Sequence, residues 1–336
     1  MSRFIETETE NEIEKLDDLD KFLDYVTQYN QLIPKTQNVM DNQNVFVNDN
    51  TTLTKLVIKL KKLFDTDLFH DTRQYFLIDL IQSERTSLNA ECQIDIIFLL
   101  IQYLVQNYYT NTNTVNDKVV NYIKTQDKSG KTAFMYLFTN PSWISSNYKY
   151  TNAESIYQYA IRIFINDLFS KPGFYDCMYA QLTDSDKKLV NNNINYNSVH
   201  MMYKMLSEDA TSFNGVKHGY DRCTFNFNCT NWSKVYKPCV KQHKIDEDAL
   251  LINMRDNNKK RLLDYFYDSF NQNLLMVKLL ETELKKLGAK QSMSGQVRGI
   301  LRLNRTVSQP GGKKSKRISK RKKTTSRRRR PHPKKT

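Results

Sequence analysis

Three observations predict a mostly α-helical body followed by a basic, flexible C-terminal tail. Only 9 glycines and 7 prolines occur in 336 residues, too few chain-breakers for a turn-dense β-sandwich. Apolar residues recur at helical spacing through the first 290 positions. Charge is also partitioned. Residues 296–336 hold 17 of the 51 Lys/Arg and no Asp or Glu, so residues 1–295 carry 34 basic against 36 acidic side chains. The tail is therefore +17 and the body −2. The expected organisation is an acidic helix and linker over 1–50, a helical body over 51–290 and a tail over 291–336.

The elements follow in order. Leu16, Leu19, Leu23 and Val26 share one face of an acidic helix over 10–29. Leu53, Leu56, Leu60 and Leu63 mark a second helix, with Asn50-Thr-Thr as its start. Helices over 71–83 and 93–107 come next. The later of the two is apolar nearly all round and so expected between other elements. Residues 107–116 are an Asn/Thr/Tyr loop. Asp127-Lys-Ser-Gly-Lys-Thr132 reads as a tight turn feeding a short helix, followed by a helix over 155–169 with Ile156, Ala160 and Ile163 on one face. The same grammar returns at Asp256-Asn-Asn-Lys-Lys-Arg261. A final helix, with Val277, Leu280, Leu284 and Leu287 on one face, is closed by Gly288 as its C′ residue.

These two segments resemble ankyrin repeats. Asp127, Gly130 and Thr132 match the repeat's opening turn, with Phe134 and Leu137 at its Leu and Ala places. Asp256, Leu263, Val277, Leu279, Leu280, Gly288 and Ala289 match in the second segment. Lys259, Arg261 and Phe266 depart from the pattern at its Gly, Thr and Ala places, so irregular packing is expected. The separation of the two turns is close to four units of the ~33-residue period. The resemblance implies an irregular stack of helix pairs that binds a protein partner and carries no chemistry. An irregular helical domain with two chance turn motifs is the alternative. Degenerate ankyrin-like chains with such Lys/Arg tails are similar to those encoded by large DNA viruses of protists.

Composition narrows the remaining classes. No secretory h-region opens the chain, and the longest apolar run, residues 96–101, is far short of a membrane span. Five irregularly spaced cysteines are expected as reduced thiols in an intracellular protein. Gly130-Lys-Thr132 lacks the upstream glycine of a phosphate loop, where Thr125 stands instead, so nucleotide binding is rejected. Cys223, Cys229, Cys239 and His243, with His218 in reserve, are the one pattern able to complete tetrahedral zinc. Its spacing lacks a Cys-x₂-Cys hairpin, and free thiols are the alternative. It supports a second reading, a structural virion or RNA-associated protein with a zinc knuckle at 218–243. His70, His200 and His332 have no recognisable catalytic partners, and Asp17, Asp18, Asp20 and Asp24 read as a solvated face.

The tail holds three basic clusters: Lys313, Lys314, Lys316 and Arg317; Lys320, Arg321, Lys322 and Lys323; and Arg327, Arg328, Arg329 and Arg330. Pro310-Gly-Gly312 uncouples them from the body. Such a run repels itself and buries no apolar area. Its expected partners are nucleic acid, bound without sequence preference, or an import receptor. Ser315, Ser319, Thr324, Thr325 and Ser326 lie among the charges, where phosphorylation would lower the net charge.

Overall fold

A computed structural model of the chain describes residues 12–29, 52–82, 90–139, 151–190, 195–207, 230–269 and 275–292. The described residues are mostly helical and contain no strand, only two isolated bridges. The tail clusters, Cys223, Cys229, His218 and His332 lie outside them.

The described helices are α1 (Leu19–Tyr29), α2 (Thr52–Thr66), α3 (Phe76–Gln82), α4 (Ala90–Gln106), α5 (Asp117–Lys124), α6 (Ala133–Leu137), α7 (Thr151–Phe169), α8 (Phe174–Ala180), α9 (Asp184–Leu189), α10 (Tyr196–Ser207), α11 (Thr230–Gln242), α12 (Leu262–Ser269) and α13 (Leu275–Lys286). The apolar helix α4 lies among α2, α3 and α7, as its all-round hydrophobicity predicts. Helix α7 is the centre of the body. It packs on α4, α8, α10 and α13 and on the 3₁₀ turn Leu251–Asn253, burying Ile156, Ala160, Ile163 and Phe164.

Two helix boundaries differ from expectation. The acidic helix over 10–29 breaks after a single turn at 12–15 and restarts at Leu19. There the Leu19 N–H donates to Asp67 Oδ2 at 3.0 Å and Asp18 Oδ1 accepts from the Lys21 N–H at 2.8 Å. A carboxylate at the new N-terminus outweighs the apolar periodicity that runs through the break. Leu16, Leu19, Leu23 and Val26 are nevertheless all buried. The helix expected over 71–83 begins as the 3₁₀ turn Asp71–Arg73 and becomes α-helical at Phe76. Arg73 leaves the helix to pair with Asp20 and, at 3.1 Å, with Asp67, which ties this corner to α1.

At the far end, Val277, Leu280, Leu284 and Leu287 are buried as one face. Gly288 (φ +82°) closes α13: its N–H donates to Lys285 O at 3.0 Å, and the Ala289 N–H reaches back to Leu284 O at 3.0 Å.

Candidate functional site

The turn at Asp127 is built by one carboxylate. Its Oδ1 accepts from the N–H groups of Ser129 (2.8 Å) and Lys131 (2.9 Å) and from the Ser129 hydroxyl (2.7 Å). The backbone closes around it, Asp127 N–H to Lys131 O at 3.0 Å and Gly130 N–H to Asp127 O at 2.9 Å. Such a closure needs a left-handed residue in third place, and Gly130 supplies φ +77°. Oδ2 takes the Tyr136 hydroxyl at 2.5 Å. Burial alone would raise the Asp127 carboxyl, but the bonds from Tyr136, Ser129 and Lys131 outweigh it and hold the group below its usual value. Thr132 then caps α6, its Oγ1 accepting from the Met135 N–H at 3.4 Å.

The turn at Asp256 repeats this construction with different residues. Asp256 Oδ1 accepts from the Lys260 N–H at 2.7 Å, Asp256 N–H donates to Lys260 O at 2.9 Å and Lys259 N–H to Asp256 O at 2.9 Å. Lys259 occupies the glycine place at φ +61°. The Tyr265 hydroxyl donates to Asp256 Oδ2. Burial and the adjacent Asp256 both push that phenol upward. Arg261 has no side-chain oxygen with which to cap α12. Instead, Asp264 Oδ2 reaches back to the Arg261 N–H at 2.9 Å. Leu263 is buried, and Ala289 packs against the core from beyond Gly288.

The two turns lie side by side. Asn257 N–H donates to Ser129 O at 3.0 Å, Asn257 Nδ2 to Lys128 O at 2.9 Å, and Gln126 Nε2 to Arg255 O at 2.8 Å across 129 residues of sequence. The Lys131 ammonium lies 4.7 Å and 4.9 Å from the ring centres of Tyr136 and Tyr265. This contact corrects the reading of the 129-residue separation as four stacked repeats. Units four apart in a solenoid do not touch, whereas these are immediate neighbours.

A third turn of the same geometry was not legible as one. Thr110 N–H donates to Thr114 O at 2.8 Å, Asn113 N–H to Thr110 O at 2.9 Å, and Asn113 stands at φ +60°. Thr110 Oγ1 takes the place of the aspartate oxygen, accepting from the N–H groups of Thr112 and Thr114, each at 3.3 Å. The expected Asn/Thr loop is thus a closed turn, with Asn116 capping α5.

Behind the turns, Asp167 is a buried joint that sequence reasoning missed. Its Oδ1 meets Lys124 at 2.9 Å and Lys171 at 3.1 Å, and its Oδ2 accepts the Leu251 N–H at 2.7 Å. It joins α5, α7 and the 3₁₀ turn Leu251–Asn253. Asp167 lies four residues beyond Ile163 and seven beyond Ala160, on the apolar face of α7, and that position was the available signal.

Of the proposed zinc ligands only Cys239 and His243 fall within the described residues, and Cys239 is not available as one. Cys239 is bonded to Cys177, with their Cα atoms 5.8 Å apart, so its sulfur is neither the free thiol nor the thiolate ligand expected from the sequence. The residues are brought together because α8 and α11 run antiparallel, with the His243 ring over Gly173 one turn further along. Among the described residues, no group of three or more His, Cys, Asp and Glu side chains is placed to hold a metal. His200 is half-buried with Nε2 3.3 Å from Arg162 O, and desolvation of the ring together with Arg162 pushes its imidazole down to about 3, so it is neutral at physiological pH. His70 meets the Thr72 hydroxyl at 3.0 Å in an exposed position. Also among the described residues, no helix is long and apolar enough to cross a membrane.

No family model, no curated protein and no solved structure matches this chain.

Proposed function

We propose that the chain is a non-enzymatic interaction protein. An ankyrin-like helical body engages a protein partner, and a polycationic arm over 310–336 engages nucleic acid or an import receptor. The observation that carries this reading is the partition of charge, +17 over residues 296–336 against −2 over the rest. Such an arm binds polyphosphate by releasing counterions, so with ten phosphates engaged the slope of log K against log salt is roughly −7 to −9.

The chemistry of the turns supports a scaffold. The carboxylates of Asp127, Asp256, Asp167 and Asp264 all accept backbone N–H groups. Groups spent in this way position the chain and are poorly placed to move protons to a substrate. The rigid double turn, with Lys128 and Lys259 exposed beside it, is the part of the body best suited to present a fixed surface.

Affinity capture with the full chain and with a chain lacking 310–336, each with and without nuclease, tests both halves. Partners lost only on deletion belong to the arm, and partners retained under both treatments belong to the body. Capture that is the same for both chains would overturn the role of the arm. Fusion of 310–336 to an inert reporter separates the arm's two partners, since nuclear accumulation selects the import receptor.

A further inference from the structure

Three cations from two segments, Arg255 and Arg261 at either end of the Asp256 turn and Lys290 beyond α13, converge on the carboxylate of Asp248. Lys290 Nζ is 3.0 Å from Oδ1, while Arg261 Nη2 and Arg255 Nη2 are 3.1 Å and 3.3 Å from Oδ2. Asp248 is carried by the 3₁₀ turn Glu247–Ala249, where Asp246 Oδ1 accepts its N–H at 3.0 Å. Its side chain is 47% exposed, whereas the Arg261 side chain beneath it is only 5% exposed. Arg261 Nε and Nη1 are buried without an acceptor. A guanidinium presents five N–H donors in a fixed fork, and leaving buried members of that fork unbonded is unfavourable.

The neighbouring acids do not fill this vacancy. Glu247 Oε2 is 3.1 Å from Lys290, but its Oε1 accepts the Tyr236 hydroxyl at 2.7 Å. Asp264 is occupied by the backbone N–H groups of Arg261 and Ser292. Asp246 is occupied as the cap of the 3₁₀ turn.

We propose that Arg255, Arg261 and Lys290 form a phosphate-binding seat, which the Asp248 carboxylate occupies in the unliganded chain. A phosphate group brings more charge and more acceptor oxygens than a carboxylate. It suits bidentate capture by a guanidinium, with a lysine beside it as a point charge. Lys290 stands eight residues ahead of Arg298, the first cation of the basic tail. The inference does not rest on the arm's own role, because every variant below leaves the arm unchanged.

The test uses the full chain and inorganic phosphate, against sodium chloride at matched ionic strength. Asp248→Asn leaves three cations around a neutral amide, so it melts below the parent chain in chloride. Phosphate restores it and binds about tenfold more tightly than to the parent, because the built-in competitor is gone. Adding Lys290→Gln and Arg255→Gln removes that gain. A second arm compares thymidine 5′-monophosphate with inorganic phosphate. Equal affinity assigns the seat to phosphate wherever it is carried, and a tenfold preference for the nucleotide assigns it to nucleic acid. Two results overturn the proposal: no advantage of phosphate over chloride in Asp248→Asn, or an advantage that survives loss of Lys290 and Arg255. Should Asp248→Asn fail to fold in either salt, Lys290→Gln alone decides. It is expected to weaken phosphate stabilisation of the parent chain, and no change refutes the seat.

Discussion

The turns at 127–132 and 256–261 make the same backbone hydrogen bonds with largely different residues. Each uses an aspartate Oδ1 over the N–H four residues on, a left-handed residue in third place, and a tyrosine nine residues on that donates to the second oxygen. They differ in what surrounds them. Gly130 lies against its neighbour, where an added Cβ would stand 2.6 Å from Asn257 Oδ1 and 2.7 Å from Asn257 N. Lys259 faces solvent, so the same backbone geometry tolerates a side chain there at the cost of left-handed strain alone. The aspartate and the turn geometry are thus the invariant, while the glycine is demanded by packing and only where packing exists.

The largest effect expected concerns how the two turns meet. The Cys177–Cys239 bridge closes 62 residues within the chain that separates them. The covalent path between the turns shortens accordingly, from 129 residues to about 67. Loop closure of that length is worth about 4 kcal/mol of unfolded-state entropy. Reduction, or Cys239→Ser, is expected to lower stability by about that amount in chemical denaturation. It should not separate the turns, since Asn257 and Gln126 hold them directly. Hydrogen-exchange protection at Asn257 checks this. Loss of protection before global unfolding would show that the pairing depends on the bridge.

Next in size is the contrast at third place. Gly130→Ala adds left-handed strain and a collision with the backbone of Asn257, together about 2–4 kcal/mol. Lys259→Gly removes strain at an exposed site and is expected to be stabilising by up to about 1 kcal/mol. Paired denaturation curves measure both. If Gly130→Ala cost no more than the strain alone, the close approach of the turns would be in error.

Much of this was legible beforehand, for identifiable reasons. Gly288, the two Asp-led turns and the faces of α7 and α13 follow from local backbone needs or helical period, which a single segment carries by itself. The meeting of the turns, the Asp167 joint and the Cys177–Cys239 pair depend on how distant segments fold back, and no local pattern encodes that. Tyr136 and Tyr265 are an intermediate case. Both stand nine residues after an aspartate, in segments already singled out, yet their role needs the hydroxyl to be seen reaching the carboxylate. The turn at Thr110 was hidden by chemistry instead, because a threonine hydroxyl does there what aspartate does elsewhere.

The two tyrosines offer the finest comparison. Tyr136→Phe removes a donor from a half-buried carboxylate, a loss of about 1 kcal/mol, whereas Tyr265→Phe strands a buried Asp256 oxygen and costs up to about 3 kcal/mol. The Asp127 carboxyl is held below its ordinary 3.8 by Tyr136, Ser129 and Lys131 against the opposing effect of burial. A depressed value in the fold means stability fully present above the unfolded value, about 4, and lost as pH falls through the lower folded value. Tyr136→Phe forfeits part of that contribution, so its deficit is expected to be full at pH 6 and to shrink as the parent chain titrates below pH 4. Denaturant midpoints across pH 2.5–6 measure it. A deficit that stays constant with pH would mean that the phenol acts through packing of its ring, with Lys131 over it, and not through the Asp127 charge.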